Sequence, residues 1–309
     1  MSDETPEYES MGDTPTDHGD KGIPSPDYES QGHQFTRDID ALSEVDPELA
    51  NEQKAVQLKV GDIVGERFEI LGQLGFGGMG AVYRVKDSEL NEERALKVML
   101  PSLLQSEKAR ERFLEEIKTS QKLAHKGIVR VHDLGVDKDR GFRYFTMELI
   151  EGKTLHRVLS EANGCLPVEQ TLDIMNQLCD ALEYAHEFTI HGDLKPQNVM
   201  IQSDGRIKLL DFGLAKLMSP GRLTKSSMAL GTAYYQSPEQ SVQLAELDKR
   251  ADIYSLGVMF YEMLTGEIPV GVIAKPSELS KGVPNRLDAI CMKCLQPKPG
   301  GRFEDVVSL

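Results

Sequence analysis

The chain has 309 residues, enough for one large domain or two modest ones, and 39% of them are apolar, which is sufficient for a buried core. The net charge of −15 is concentrated in residues 1–59, which carry 15 acidic and 4 basic side chains, so the rest of the chain is nearly balanced. This distribution argues against nucleic-acid binding, which needs clustered positive charge. Four cysteines, no signal peptide and no run of 18 apolar residues predict a cytoplasmic protein without a disulfide framework or a transmembrane segment.

Residues 1–59 are predicted to form a disordered acidic leader, because they contain few large apolar side chains to offset the entropy of ordering. The stretch "TPEYESMG" at 5–12 recurs as "SPDYESQG" at 25–32. The repeat is either low-complexity drift or a duplicated docking or phosphorylation motif. The leader as a whole would be a pseudosubstrate, a docking arm or a solubilising tail, and the sequence does not choose among these.

The remainder, residues 60–309, changes from strand patterns to helix patterns along its length. "FEILGQLG" and "GAVYRVKD" predict a hairpin around a glycine-rich turn, and "RALKVML", "IVRVHDLGV" and "FRYFTMEL" predict three further strands. Helical periodicity appears within 106–124 and in 168–187 and 252–264. The sequence therefore predicts an α+β fold of two lobes: a small sheet-rich lobe over about 60–147 and a larger helical lobe over about 148–309, with a hinge near 147–152.

The turn "GFGGMG" at 75–80 has the spacing G-x-G-x-x-G, which lets backbone N–H groups approach phosphates closely. A plain tight turn or a dinucleotide-binding fold would share this pattern. The dinucleotide fold needs a helix after the glycines. Here a strand, "AVYRVKD", follows, which favours a flap over a nucleotide.

Lys97 lies on a predicted strand, where a lysine is ordinarily a solvated edge residue. A catalytic lysine would need a carboxylate on the next helix to hold its ammonium group over the α- and β-phosphates of a nucleotide. Glu116 has the expected spacing from Lys97, and the neighbouring Glu115 is the alternative.

The stretch "HGDLKPQN" at 191–198 and the "DFG" at 211–213 carry the residues of a phosphotransfer site. Asp193 would accept the proton of an attacking hydroxyl, and Lys195 would neutralise the transferring phosphoryl group. Asn198 and Asp211 would bind Mg²⁺. An isolated Asp is usually a cap or a turn residue, but the ordered set of glycine loop, Lys, Glu, Asp-x-Lys-x-x-Asn and Asp-Phe-Gly is very improbable by chance.

These motifs resemble those of the eukaryotic-like serine/threonine protein kinases, and "LGFGGMGAVYRV" is especially similar to the bacterial branch. The resemblance covers roughly residues 66–309 and implies the bilobal protein-kinase fold, Mg-ATP as cofactor and protein substrates with Ser or Thr acceptors. It implies that Glu148 and Leu149 offer hinge hydrogen bonds. It also implies a nucleotide site formed by Leu74, Gly75, Gly77, Gly78, Gly80, Val82, Ala95, Lys97, Met147 and Met200.

The resemblance extends to the segment "GTAYYQSPEQ" at 231–240, which is similar to the end of a kinase activation segment. It implies that Thr232 lies near Asp193 and Lys195. Asp252 would anchor the backbone of the catalytic loop, and Arg302 would pair with Glu239.

Three departures from the family pattern stand out. Gly192 replaces the Arg that pairs with a phosphorylated activation loop, so its loss should weaken control by phosphorylation at Thr224, Ser226 or Ser227 rather than the chemistry. The segment between Gly266 and Arg302 is short, which predicts a reduced or missing helix. The chain ends at Leu309, where a last helix is expected to continue.

"CMKC" at 291–294 suggests a metal or redox pair, but its helical spacing with neighbouring apolar residues favours a buried core face. Two alternatives to an active protein kinase remain. A pseudokinase would have lost catalytic residues, whereas all are present here. Small-molecule phosphotransferases share the "HGD" wording, but they usually carry a different residue where Lys195 stands and lack a segment like 231–240.

Overall fold

The computed structural model describes residue 54 and residues 56–213, 232–241 and 247–309. Most of the predicted leader, and the three candidate phosphorylation sites Thr224, Ser226 and Ser227, lie outside these ranges. Within them the elements fall into a sheet-rich N-terminal lobe and a helical C-terminal lobe, as the sequence predicts. Each lobe has its own cluster of buried apolar side chains.

The N-terminal lobe is a six-stranded antiparallel sheet with the order β1-β2-β3-β4-β6-β5. The strands are β1 (Ile63–Val64), β2 (Phe68–Gly77), β3 (Gly80–Asp87), β4 (Glu92–Met99), β5 (Val131–Asp137) and β6 (Phe142–Met147). Apolar side chains alternate with polar ones along β3, so one face packs on the lobe core and the other is exposed. Helix α1 (Glu107–Ser120) packs against this sheet through Phe113 and Ile117, which are almost completely buried.

A short segment before β1 is part of the packed lobe. Val56 and Leu58 are buried in its apolar cluster. The hydroxyl of Tyr83 on β3 accepts a hydrogen bond from Leu58 N at 3.0 Å and donates one to Val56 O at 2.7 Å. Val56 and Leu58 therefore pack on the N-terminal lobe, although they precede residue 60, where the composition of the chain changes.

The C-terminal lobe combines six α-helices in the described residues with a small three-stranded sheet. The longer helices are α2 (Leu155–Glu161), α3 (Val168–Ala185), α5 (Arg250–Thr265) and α7 (Asn285–Cys294), and the short ones are α4 (Pro238–Ser241) and α6 (Pro276–Leu279). The small sheet has the order β7 (Lys153–Thr154), β8 (Val199–Ile201) and β9 (Ile207–Leu209). Helix α5 is buried on almost every side, so it is the central element of this lobe.

Two predictions about the end of the chain are confirmed. Between Gly266 and Arg302 the structure has only the four-residue α6 before α7, which is the reduced helix that the weak periodicity indicates. Cys291 and Cys294 are fully buried on α7, and burial raises the pKa of both thiols. Both side chains belong to the apolar cluster of the C-terminal lobe, which agrees with a core role for "CMKC".

No helix in the described ranges is both long enough and apolar enough to cross a bilayer.

Candidate active site

Lys97 lies in the middle of β4, with Val82 of β3 and Phe145 of β6 as its partners on the two sides. Its side chain is 6% exposed and its Nζ lies 2.6 Å from Oδ2 of Asp211. A buried ammonium group needs a counter-charge, and the carboxylate of Asp211 supplies it. The structure thus joins a strand of the N-terminal lobe to the "DFG" stretch of the C-terminal lobe through one ion pair.

Glu115 and Glu116 are adjacent on helix α1 but differ in their exposure. Glu115 is exposed, whereas Glu116 is half-buried and faces Gly213. Gly213 has φ of +71°, and a Cβ at this position would overlap the Glu116 carboxylate. Glycine is therefore required here on two counts, and Glu116 is the carboxylate that reaches the "DFG" stretch. An ion pair between Lys97 and Glu116 stays a prediction.

The catalytic loop, residues 191–198, brings three of the predicted site residues into direct contact. Oδ2 of Asp193 lies 2.8 Å from Nζ of Lys195. Nδ2 of Asn198 donates to the carbonyl oxygen of Asp193 at 2.8 Å and to its Oδ2 at 3.1 Å. Because its amide nitrogen is used in this way, the amide oxygen of Asn198 is the atom that remains for a metal ion. The Asp193 carboxylate is therefore oriented by two donors.

The loop is joined to the strand that leads into "DFG". Leu210 N donates to Asn198 O at 2.9 Å, and the imidazole of His191 contacts Leu210 O at 2.8 Å. His191 is fully buried and its ring packs on that of Phe212, with centroids 4.6 Å apart. These contacts bring Asn198 and Asp211 to neighbouring backbone positions. Both offer hard oxygen ligands of the kind Mg²⁺ prefers, and Mg²⁺ sites commonly use one or two such groups together with substrate phosphates. The residues present therefore fit this ion.

Asp252, near the start of α5, anchors the backbone of the catalytic loop, as the resemblance implies. Its Oδ2 accepts a hydrogen bond from His191 N and its Oδ1 accepts one from Gly192 N, both at 2.8 Å. His186 Nε2 lies 2.9 Å from Oδ2 as well. Burial of Asp252 works to raise its pKa, but the bond with His186, the nearby histidines and the amide donors outweigh it, so the pKa is lowered and the carboxylate is charged.

The 232–241 segment is bound to the C-terminal lobe at three points. Tyr235 Oη donates to Glu262 at 2.7 Å, and Ser255 Oγ donates to Tyr235 O at 2.7 Å. Glu239 forms the predicted pair with Arg302, and the pair is bidentate. Gln240 Nε2 donates to Gly192 O at 2.7 Å. The predicted approach of the Thr232 side chain to Asp193 and Lys195 lies outside what the structure describes.

The glycine-rich turn joins β2 and β3, and most of the predicted nucleotide-lining residues lie on the strands of the N-terminal lobe around Lys97. Gly75 pairs with Val82 and Gly77 with Gly80 across the hairpin, and Ala95 of β4 pairs with Met147 of β6. A Cβ at Gly75 or Gly77 would meet open space, whereas one at Gly80, where φ is +150°, would overlap the carbonyl of Val98. Gly80 is thus needed for the hairpin itself. Of the remaining members, Leu74 is half-exposed on β2 and Met200 is half-buried on β8.

The hinge contains a contact that the sequence reading missed. Glu148 Oε1 accepts from Arg130 N at 2.9 Å and pairs with Nζ of Lys208 at 2.6 Å. The Glu148 side chain therefore connects both lobes, while its backbone N–H donates to Arg130 O at 3.0 Å. Lys208 is sixty residues away along the chain, and only the pairing of β8 with β9 brings it to the hinge. His186, Gln240 and the Tyr235–Glu262 pair were missed for the same reason.

Two lobes, a lysine paired with the "DFG" aspartate and an aspartate held by Lys and Asn on a buried loop define a phosphotransfer site of the protein-kinase class. Comparison with known proteins agrees: the protein kinase domain family matches residues 68–299. The chain belongs to this family, and its relatives are serine/threonine kinases of the bacterial type. The resemblance drawn from the motifs is thus confirmed.

Three relatives illustrate the similarity. The serine/threonine-protein kinase PrkC of Bacillus subtilis is 35% identical over 260 residues, which cover 79% of this chain and 40% of that protein. A probable serine/threonine-protein kinase of Clostridium acetobutylicum is 34% identical over 261 residues, covering 80% of this chain and 39% of that protein. The PknI kinase domain of Mycobacterium tuberculosis superposes with a TM-score of 0.68 at 29% identity, covering 82% of this chain and 96% of that one. The chain thus spans about two fifths of the length of the curated relatives it matches.

Proposed function

We propose that this chain is an active serine/threonine protein kinase that transfers the γ-phosphoryl group of Mg-ATP to Ser or Thr hydroxyls of protein substrates. The observation that carries the proposal is the constellation around Asp193. Its carboxylate is only 11% exposed and is bound by Lys195 and Asn198. The carbonyl oxygen of Asn198 in turn accepts a hydrogen bond from the backbone N–H of Leu210, the residue before Asp211. Names of the bacterial relatives, which describe serine/threonine kinases, support the same activity.

Each residue has a role that follows from its surroundings. Asp193 accepts the proton of the incoming hydroxyl, since its carboxylate is oriented but not neutralised by bidentate pairing. Lys195, 2.8 Å from that carboxylate, offsets the negative charge of the transferring group. Lys97 would exchange Asp211 for the α- and β-phosphates, and Glu116 on α1 is the carboxylate proposed to hold it there.

Asn198 and Asp211 are the residues proposed to hold Mg²⁺, which would supply positive charge that offsets the charge of the phosphates. The turn at 75–80 is proposed to cover the phosphates, with Leu74, Val82, Ala95, Met147 and Met200 against the adenine ring. Positioning and charge stabilisation, rather than covalent chemistry by the protein, then account for the rate.

The test is transfer of label from γ-labelled ATP with Mg²⁺, using the purified chain, a generic basic protein as acceptor, and Asp193→Asn as the matched variant. We expect phosphoserine or phosphothreonine with the native chain and a loss of about 10²- to 10⁴-fold in the variant, because a positioned general base is worth that much. Both the native chain and the Asp193→Asn variant should still bind ATP, which is measured as a rise in the melting midpoint when ATP is added.

Two results would contradict the proposal. Absence of transfer with ATP binding intact would identify an ATP-binding pseudokinase. Transfer to small hydroxyl compounds but to no protein would identify a small-molecule phosphotransferase.

A further inference from the structure

Gly192 and Gln240 are joined by a hydrogen bond that bridges the catalytic loop and the 232–241 segment. We propose that Gln240 is a positioning residue that holds Asp193 in its working orientation without any phosphorylated residue. The inference rests on the proposed kinase function and adds its mode of regulation: the site is assembled by a neutral amide in the unphosphorylated protein.

The first half of the bridge fixes the backbone immediately before Asp193. Gln240 Nε2 donates to Gly192 O at 2.7 Å, while Gly192 N donates to Oδ1 of Asp252 at 2.8 Å. Gly192 has φ of +77°, a left-handed conformation that glycine adopts without strain. The C=O group of Gly192 is therefore bonded by the 232–241 segment, and the N–H group of the same residue is bonded by helix α5.

The second half of the bridge ends on a residue that cannot move freely. Gln240 Oε1 accepts from Ser237 N at 2.9 Å and lies 3.0 Å from Ser237 Oγ. Ser237 is fully buried. Glu239, which directly precedes Gln240, is fixed by its bidentate pair with Arg302. The Gln240 amide oxygen thus accepts two hydrogen bonds from Ser237 while its nitrogen donates one to Gly192 O, so the side chain is held between two well-fixed pieces of backbone.

The chemistry of this bridge differs from that of an arginine clamp. An arginine in the position of Gly192 would be a partly buried cation that pairs with an anion, and a phosphorylated loop residue supplies one. The Gln240 amide carries no charge, and its partners are a carbonyl, a backbone N–H and a hydroxyl that are present in every state of the chain. The bridge therefore forms without modification, so the catalytic loop does not depend on a phosphate for its orientation.

Three variants separate the two ends of the bridge. Gln240→Met removes both ends at similar size. Gln240→Glu keeps an acceptor for Ser237 but places a carboxylate oxygen against Gly192 O, so it breaks only the end at the catalytic loop. Ser237→Ala weakens only the other end, because Ser237 N still donates. The matched control is Gln177→Met, since Gln177 bridges Gly205 O and Ile207 N in the same two-ended way, away from the site.

The measurements are kcat and KM for ATP and for the protein acceptor before and after phosphatase treatment, together with amide hydrogen exchange of a peptide covering residues 190–199. We expect Gln240→Met and Gln240→Glu to lower kcat by about tenfold, the order of one lost hydrogen bond to a positioned group, with the KM for ATP unchanged. Exchange in the peptide should accelerate in both. Ser237→Ala should lose no more than about twofold, Gln177→Met should match the native chain, and phosphatase should leave the native rate unaltered.

The inference is overturned if Gln240→Glu behaves like the native chain, since Gln240 would then only support Ser237. It is also overturned if phosphatase abolishes the native activity. The kinase proposal itself would fail on a different result, namely that the native chain shows no phosphoryl transfer that depends on Asp193. In that case the exchange data still decide whether Gln240 holds the loop, because equal exchange in Gln240→Met and Gln177→Met would refute the bridge without any activity.

Discussion

Arg302 and Glu239 form a buried bidentate ion pair between residues 63 positions apart, with Nη1–Oε1 and Nη2–Oε2 distances of 2.6 and 2.8 Å. The side chain of Arg302 is fully buried, and it also donates to the carbonyl oxygens of Arg250, Gln296 and Pro297. The guanidinium group counteracts the effect of burial and lowers the pKa of Glu239. This pair attaches the 232–241 segment to the end of the domain.

Removing one partner of this pair should destabilise the C-terminal lobe strongly. Arg302→Met leaves the Glu239 carboxylate buried without its counter-charge, for which the expected loss is about 3–5 kcal/mol in the free energy of unfolding. Urea denaturation measures it. The double variant Arg302→Met/Glu239→Leu should recover part of the loss, because no buried charge then remains. A double variant as unstable as the two single changes combined would show that the pair itself is unimportant.

Metal dependence should respond to Asp211 specifically. Asp211→Asn removes the carboxylate that pairs with Lys97 and is proposed to bind Mg²⁺, so the Mg²⁺ concentration for half-maximal activity should rise and kcat should fall by at least about 10²-fold. Titration of transfer activity with Mg²⁺ tests this. Asp204→Asn is the control, because Asp204 pairs with Arg206 in an exposed turn. An unchanged Mg²⁺ requirement in Asp211→Asn would rule out its role as a ligand.

Phosphorylation of the activation segment should matter little. Simultaneous Ala substitution of Thr224, Ser226 and Ser227 should lower activity only a few-fold, because Gly192 provides no cationic side chain to bind a phosphate there. Steady-state rates of the triple variant and the native chain test this directly. A loss approaching that of Asp193→Asn would contradict it.

Stability should depend on pH through Glu262. Burial raises the pKa of this carboxyl to about 7 in the folded protein, although the bond from Tyr235 opposes the shift. Because the folded state holds this proton more tightly than the unfolded state, stability is lost as pH rises from about 4.5, the ordinary value, to about 7. Over this whole pH range the free energy of unfolding should fall by roughly 3 kcal/mol, since each pKa unit corresponds to about 1.4 kcal/mol.

The variant Glu262→Gln keeps an acceptor for Tyr235 but cannot ionise. Its melting midpoint should therefore fall less between pH 5 and pH 8 than that of the native chain, by several degrees. Parallel pH profiles for the two proteins would refute the raised pKa. Arg302 and Glu239 are unchanged in both, so the comparison isolates the Glu262 carboxyl.

Much of this protein could be predicted from local sequence. The hairpin of β2 and β3, the strand that carries Lys97, and helices α1, α3 and α5 follow from periods of two and 3.6 residues, which depend only on backbone geometry. The ordered motifs identified the protein-kinase family, because the spacing of Asp193, Lys195 and Asn198 is set within one short loop. The pairing of Glu239 with Arg302 and the anchoring by Asp252 were implied by the same resemblance.

Other features were decided only by the tertiary structure. The choice of Glu116 over Glu115 depends on which side of α1 faces Gly213. The bond of Lys97 with Asp211, the hinge pair of Glu148 with Lys208 and the bridge from Gln240 to Gly192 each join residues from 48 to 114 positions apart. Sequence patterns report the repeat of a single helix or strand, whereas these contacts depend on how separate elements pack. That packing buries polar groups, and each buried group then requires the partner that the fold brings to it.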